Sequence, residues 1–323
     1  MTESADFADR IRERFPHGLT AIFAVGGTRT SFILNNNRQA DDPGRIDFQR
    51  YGEAMLARIQ EILRDFFDLG GQNVIIPVLS YQSVENLRGE EYAERTAHIA
   101  QELISARWSA FYREMSIDPY FVGIDTLLRF PDKRTYYALG LECEAFNNNW
   151  TYEAGRRKVV FEIAPIPLYS FWRAGESTES ERMARLAAEL QSATNLNEVH
   201  DSLYTSYAET VYGTSLPIPD LYLGTSRNGD FKLRAMLPIS LMCGSSTRFY
   251  FTPYPTILIT QEAQRTILED LAFGERVQSM KLDYAGRFSA EMLESEYERV
   301  QRLVSDPHST LGLLRTNPTS GDE

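Results

Sequence analysis

The sequence predicts an α/β protein: a single domain on a central, mostly parallel sheet flanked by helices. Three observations carry this. Two runs, Leu19–Val25 (LTAIFAV) and Asn73–Leu79 (NVIIPVL), are almost continuously apolar, as strands buried on both faces are. A long amphipathic stretch, Asp47–Leu69, lies between them, and two such strands joined through a helix make a parallel βαβ unit. Helix-like and strand-like segments then alternate without an interdomain linker, internal repeat or low-complexity block. Residues 1–304 are therefore read as one domain, and 305–323, rich in Pro, Ser, Thr and Gly, as a disordered tail.

Composition narrows the function. The 323 residues are 43% hydrophobic and 24% charged, the balance of a soluble globular protein. A net charge of −12 argues against a nucleic-acid partner or an anionic membrane surface. Any anion site must then be a local group of arginines working against the overall field. Eighteen Phe and 17 Tyr supply aromatic surface for a core or an apolar pocket. Cys143 and Cys243 form neither a disulfide framework nor a zinc motif, and His17, His98, His200 and His308 have no metal spacing. The acidic, helical start is not a signal peptide and no apolar run reaches membrane-spanning length. A cytoplasmic protein is expected.

In chain order, Ala5–Phe15 reads as a leading helix. The strand from Leu19 breaks at Gly26-Gly27 and continues Thr28-Arg29-Thr30; Asn35–Arg45 is polar and turn-rich. The Asp47–Leu69 helix repeats Tyr51, Met55, Ile59, Ile62 and Phe66 at helical spacing and stops at Gly70-Gly71. After the second strand, Ser80–Arg88 leaves its tip. Glu91–Met115 reads as one helix and Pro119–Gly123 as a strand. Within Thr135–Asn149, YYALGLE leans towards strand. Val159–Ala164 reads as a strand followed by a Pro-rich turn. Thr178 with Glu181, and Asn195 with Glu198, have the form of capping boxes. Asp220–Leu223 and Arg248–Phe251 read as short strands. Thr260 opens a helix to Phe273, and a last helix covers about Ser289–Val304.

Ligands of open α/β sheets bind beyond the carboxyl ends of the strands, and three such tips carry anion-competent groups. The first offers Gly26, Gly27, Thr28, Arg29 and Thr30: glycines that let backbone N–H groups approach, hydroxyls, and a guanidinium fork suited to phosphate oxygens. The second offers Ser80, Ser83, Glu85, Asn86 and Arg88. The third offers Thr225, Ser226 and Arg227. Each also has an ordinary structural reading as a solvated turn, and the three together matter only on one sheet edge.

The ordered set resembles the cis-prenyltransferase family of undecaprenyl diphosphate synthase. That family has an Asp-Gly-Asn-Gly-Arg loop after its first strand, a Ser-x-Glu-Asn-Trp-x-Arg segment, a Pro-Asp-Leu-x-x-Arg-Thr segment and a Glu-Leu-Tyr-Phe-Thr strand. The counterparts are Gly26–Arg29, Ser83–Arg88, Pro219–Thr225 and Arg248–Thr252. The chain is more similar to the branch with tuberculosinyl transferase/tuberculosinol synthase and kolavelool synthase. It matches there at Val25–Thr30, at Phe111–Glu114, at Leu223–Arg227 and by placing Tyr51 on an active-site tyrosine. The resemblance implies an enzyme that expels diphosphate from a bicyclic C20 diphosphate, such as a kolavenyl or tuberculosinyl one, and captures the allylic cation with water. Transfer to a nucleophile such as adenosine, or a non-catalytic partner subunit, are its alternatives. It also implies a homodimer.

The departures bear on mechanism. The metal-binding aspartate of the elongating enzymes falls on Gly26, their second acidic ligand on Arg248, and an arginine on Gly224. Neither Gly26 nor Arg248 can hold Mg²⁺ by a carboxylate, so Mg²⁺ either arrives with the diphosphate or is replaced by arginines. The diphosphate site expected is Gly26, Gly27, Thr28, Arg29, Thr30, Arg88, Thr225, Ser226, Arg227 and Arg248. Tyr51, Arg29 and Glu85 are the catalytic candidates: Tyr51 to face the cation and orient water, Arg29 to hold the leaving group, and Glu85 as a base or as a partner for Arg88. Tyr51 also belongs to the apolar helix stripe, and Arg248 also reads as a solvated strand end.

Overall fold

The computed structural model describes residues 3–36, 47–85, 90–163, 166–176, 180–227, 230–231, 233, 247–274 and 290–305. The elements are α1 (Glu3–Arg14), β1 (Thr20–Phe23), α2 (Thr28–Asn36), α3 (Phe48–Asp68), β2 (Asn73–Leu79), α4 (Tyr81–Val84), α5 (Glu90–Gln101), α6 (Ala106–Glu114), β3 (Ile117–Val122), α7 (Ile124–Leu128), α8 (Arg134–Asn149) and β4 (Arg157–Ile163). They continue with α9 (Pro167–Glu176), α10 (Ser180–Ser192), α11 (Leu196–Val211), β5 (Leu221–Arg227), β6 (Asp230–Phe231), β7 (Arg248–Thr252), α12 (Gln261–Phe273) and α13 (Ala290–Ser305). Short 3₁₀ turns occupy Glu102–Ile104 and Thr256–Leu258.

Six strands run parallel in the order β3-β4-β2-β1-β5-β7, and β6 pairs antiparallel with the end of β5. β1 therefore lies between β2 and β5, with Ala21 opposite both Val74 and Leu221. Burial follows the two-residue period of a pleated strand. Ala21, Phe23, Val74, Ile76, Val159, Phe161, Leu221 and Leu223 enter one core with Phe7 and Ile11 of α1, the apolar stripe of α3, and Trp108, Phe111 and Tyr112 of α6. Ile22, Ile75, Val160 and Tyr222 enter the opposite core with Tyr204, Tyr207, Ala208 and Val211 of α11 and Phe171 of α9. Both faces of the sheet are covered, which is why its strands read as apolar runs rather than alternating ones.

Three expectations are corrected. YYALGLE is helical, inside α8: Tyr136, Leu139, Gly140 and Cys143 are its buried residues, at helical spacing. The single helix expected over 91–115 is broken, because Ser105 turns extended and its hydroxyl accepts from the Trp108 N–H to cap α6. The segment after β4 is the helix α9 rather than only a turn, with Pro167 at its first position, where the missing proline N–H is not needed. Asp47, Asn195 and Thr260 cap α3, α11 and α12 with their side chains. Asn195 Oδ1 accepts from Glu198 N–H at 3.1 Å, and the Glu198 carboxylate accepts from Thr194 N–H at 2.6 Å. Thr178, most of the polar loop after Asn36 and residues 306–323 of the expected tail lie outside the described residues. Among the described residues no helix is long and apolar enough to cross a membrane.

Candidate active site

The carboxyl ends of β1, β2, β5 and β7 share one edge because these strands are parallel. β1 leaves that edge through Ala24, whose N–H bonds Leu223 O at 2.9 Å. The chain then turns at Gly27, with φ of 74°. A Cβ there would lie 2.6 Å from Pro255 Cβ, so both the left-handed backbone and the close approach require glycine. Gly27 O accepts from Ser31 N–H at 2.9 Å as α2 begins. The N–H groups of Thr28, Arg29 and Thr30 thus form the first turn of a helix, where helical geometry leaves donors unpaired and the positive end of the dipole favours an anion.

Tyr51 lies one turn inside α3 and reaches this turn. Its hydroxyl and Thr28 Oγ1 are 2.6 Å apart, and its ring is buried. Phe32 and Phe48 meet that ring edge-on at 5.6 and 6.2 Å, and Phe48 meets Tyr92 at 6.2 Å. Two arginines lie on this aromatic string. The exposed Arg29 guanidinium is 5.1 Å from the Tyr92 ring centre, and that of Arg95 is 4.8 Å from Phe48. Phe48 and Arg95 were not among the candidates. Their signal is slight: Phe48 is one turn before Tyr51 in α3, and Tyr92 and Arg95 share a face of α5 at i, i+3 spacing.

A cavity of about 180 Å³ opens beside the Thr28–Tyr51 pair. Thr28, Ser31 and Phe32 of α2 form one wall, and Tyr51, Ala54, Met55 and Arg58 of α3 another. Ile257 and Leu258, at the 3₁₀ turn after β7, complete it. The lining is apolar apart from two hydroxyl residues of α2, Tyr51 and Arg58. This is the composition of a hydrocarbon site with a polar rim.

The other candidates divide by place. Gly26, Gly27, Thr28 and Arg29 are brought together with Tyr51. Thr30 is in the same helical turn by its backbone. Thr225, Ser226 and Arg227 are at the carboxyl end of β5, Thr225 opposite Thr252 of β7, so their backbone is on the same sheet edge. Glu85 is exposed and accepts from Lys133 Nζ at 3.2 Å; its observed partner is Lys133. Arg88 lies outside the described residues. Arg248 is not brought to the loop. It opens β7 opposite Leu221, which is opposite Ala21, so it stands at the amino edge, the length of the strand away. At Gly224, a Cβ would come within 2.7 Å of the Tyr222 ring, so an arginine there would need Tyr222 to move.

The residues at the loop do not fit a protein-held Mg²⁺. Gly26 has no donor, Arg248 is a cation at the far edge, and Ala24–Thr30 contains no carboxylate. Among the described residues no group of three or more His, Cys, Asp or Glu is arranged to hold a metal ion.

No protein-family model and no curated protein sequence matches the chain. Solved structures do. Lavandulyl diphosphate synthase from Lavandula x intermedia, crystallised with dimethylallyl diphosphate, superposes with a TM-score of 0.52 at 14% identity, over 81% of this chain and 98% of that one. A probable undecaprenyl diphosphate synthase from Campylobacter jejuni aligns over 80% of this chain and 97% of its own, with a TM-score of 0.46 and 11% identity. The first likeness shows the fold, a single α/β domain of the cis-prenyltransferase type.

Proposed function

We propose that the chain is an enzyme that ionises an allylic prenyl diphosphate at the α2 turn and hands water to the cation, releasing a prenyl alcohol. The observation that carries this reading is the 2.6 Å contact between Thr28 and Tyr51. It joins an anion-binding helix terminus to the wall of an apolar cavity, so leaving group and hydrocarbon can occupy adjoining volumes. Following the resemblance, the hydrocarbon is a bicyclic C20 skeleton with its reacting carbon nearest Tyr51 and only its reacting end within the 180 Å³ cavity. A homodimer belongs to the same reading.

Ionisation places negative charge on diphosphate and positive charge on carbon, and donors already in position stabilise the first without reorganisation. The first-turn N–H groups and Arg29 supply them. The Tyr51 ring offers its face to the cation. The two hydroxyls form a neutral relay: water adds to carbon and gives its proton to Tyr51 O, Tyr51 passes its own to Thr28 O, and Thr28 passes its own to a diphosphate oxygen. No tyrosinate is needed. A magnesium ion would have to arrive on the diphosphate itself.

Purified protein is incubated with kolavenyl and other bicyclic C20 diphosphates, and free diphosphate and organic products are measured. Diphosphate release with a prenyl alcohol is expected. Absence of release from every allylic diphosphate tried, with and without Mg²⁺, overturns the proposal; a product joined to added adenosine would make water the wrong acceptor.

A further inference from the structure

We infer that Lys133 is a positioning residue of the proposed site: from the base of α8 it fixes where α5 starts, and through α5 where the Tyr92 ring meets Arg29. The inference rests on the reading of Arg29 as a ligand of the leaving diphosphate. Lys133 belongs to none of the three strand tips. Its backbone is held in the turn between α7 and α8, donating to Phe130 O at 3.1 Å and accepting from Tyr137 N–H at 2.9 Å. Its side chain crosses to the chain leaving β2, where Nζ donates to Val84 O and to the Glu85 carboxylate, each at 3.2 Å. Tyr136, one turn further along α8 and buried, donates its hydroxyl to Ser83 O, also at 3.2 Å.

Two consecutive carbonyls and a carboxylate are thus tied to the base of one helix. The last turn of a helix leaves carbonyls without intrahelical partners, and α4 is only four residues long. A lysine suits the place, because three donors on one charged atom serve a carbonyl and a carboxylate together. A solvated lysine–glutamate pair contributes little alone. This ammonium differs in that its side chain is only 24% exposed and also satisfies Val84 O.

The tie reaches α5 by two routes. Along the chain, α5 begins at Glu90, shortly after the tied carbonyls. Across space, the Tyr136 hydroxyl stands 3.5 Å from Thr96 Oγ1, and Thr96 Oγ1 donates to Tyr92 O at 2.9 Å. Tyr92 then carries the contact to the anion turn. Its ring meets Phe48 at 6.2 Å and lies 5.1 Å from the Arg29 guanidinium. A guanidinium over an aromatic ring is held by the ring while its N–H groups stay available to an oxyanion. A shift of Tyr92 therefore shifts the donors that Arg29 offers. On this account Glu85 is one half of a tie and not a base.

Binding of inorganic diphosphate is measured on wild type, Lys133→Met, Lys133→Arg, Tyr136→Phe, Tyr92→Leu and the double variant Lys133→Met/Tyr92→Leu, together with amide hydrogen exchange over residues 94–101 of α5. Lys133→Met is expected to weaken diphosphate binding about twofold to fivefold, the worth of one exposed cation–π contact. Lys133→Arg still donates to both acceptors and should restore most of it. Tyr136→Phe removes a tie without changing charge and should weaken binding in the same direction. The double variant should bind no more weakly than Tyr92→Leu, because Lys133 acts through Tyr92. Amides over 94–101 should exchange faster in Lys133→Met. The proposal is overturned by full diphosphate affinity in a folded Lys133→Met, by additive losses in the double variant (the mark of a lysine acting by its own charge), or by wild-type exchange over 94–101. If wild type itself binds no diphosphate, the anion reading of the α2 turn falls, and the exchange comparison alone decides for or against the tie.

Discussion

At the scale of single residues, the proposed chemistry turns on the Thr28–Tyr51 pair, and each member can be removed with little change of shape. Tyr51→Phe and Thr28→Val should each reduce stability by about 1 kcal/mol, the usual net contribution of one hydrogen bond. A double-mutant cycle in urea should return a coupling of similar size. Turnover should fall much further, by roughly a hundredfold, because positioned proton transfer contributes on that order or more. Diphosphate affinity should be nearly unchanged, since the helix turn and Arg29 remain. Equal turnover in wild type and Tyr51→Phe would remove the relay. Little of this pairing was legible in the sequence: Gly26-Gly27-Thr28-Arg29 reads as an anion loop, but no spacing rule links Thr28 to a tyrosine 23 residues away. Arg248 was misplaced for a simpler reason. It begins its strand, and in a parallel sheet strand beginnings lie at the edge away from the ligand.

At the scale of elements, α3 supplies four of the nine residues that line the cavity, Tyr51 among them, and its ends are written in the sequence. Asp47 Oδ1 accepts from Gln49 N–H at 3.1 Å and Arg50 N–H at 3.2 Å, one turn before Tyr51. Asp47→Ala should lower stability by about 1 kcal/mol, and Asp47→Asn should recover most of it; denaturant midpoints with unchanged m-values would show this. β1, β2 and α3 were legible because each has an unmixed pattern, apolar throughout for the strands and amphipathic for the helix. α8 was not, because the seven residues YYALGLE are short enough to suit either period. The buried set Tyr136, Leu139, Gly140 and Cys143 has helical spacing, but only three of its members lie within those seven residues. The break at Ser105 and the start at Pro167 were each announced by one capping or first-turn residue, a signal easily lost inside an apolar stretch.

At the scale of the whole molecule, the two cores on either face of the sheet are held by tyrosines as well as aliphatic residues. Burial raises Tyr112 and Tyr212 well above the ordinary tyrosine range, and raises Tyr204 and Tyr207 for the same leading reason. Tyr112 donates to Leu103 O at 2.8 Å and Tyr204 to Pro217 O at 2.9 Å, bonds that exist only in the protonated state. The folded state therefore holds these protons more tightly than the unfolded chain. Their contribution is intact below about pH 10 and is lost as pH rises beyond it, at about 1.4 kcal/mol per pH unit for each tyrosine kept neutral. A steep, cooperative alkaline transition is expected, with tyrosine ionisation and loss of circular dichroism coinciding; gradual ionisation of all tyrosines before unfolding would contradict it.

The central place of β1, between β2 and β5, has a bearing on how the protein is made. Residues 23–31 emerge early from a ribosome, yet the wall that faces them is supplied by residues 255–259, more than two hundred positions later. During synthesis the cavity beside Thr28 and Tyr51 lacks its third wall until the turn after β7 has been made. On the proposed reading, a nascent chain has no activity until nearly all of its fold has been translated.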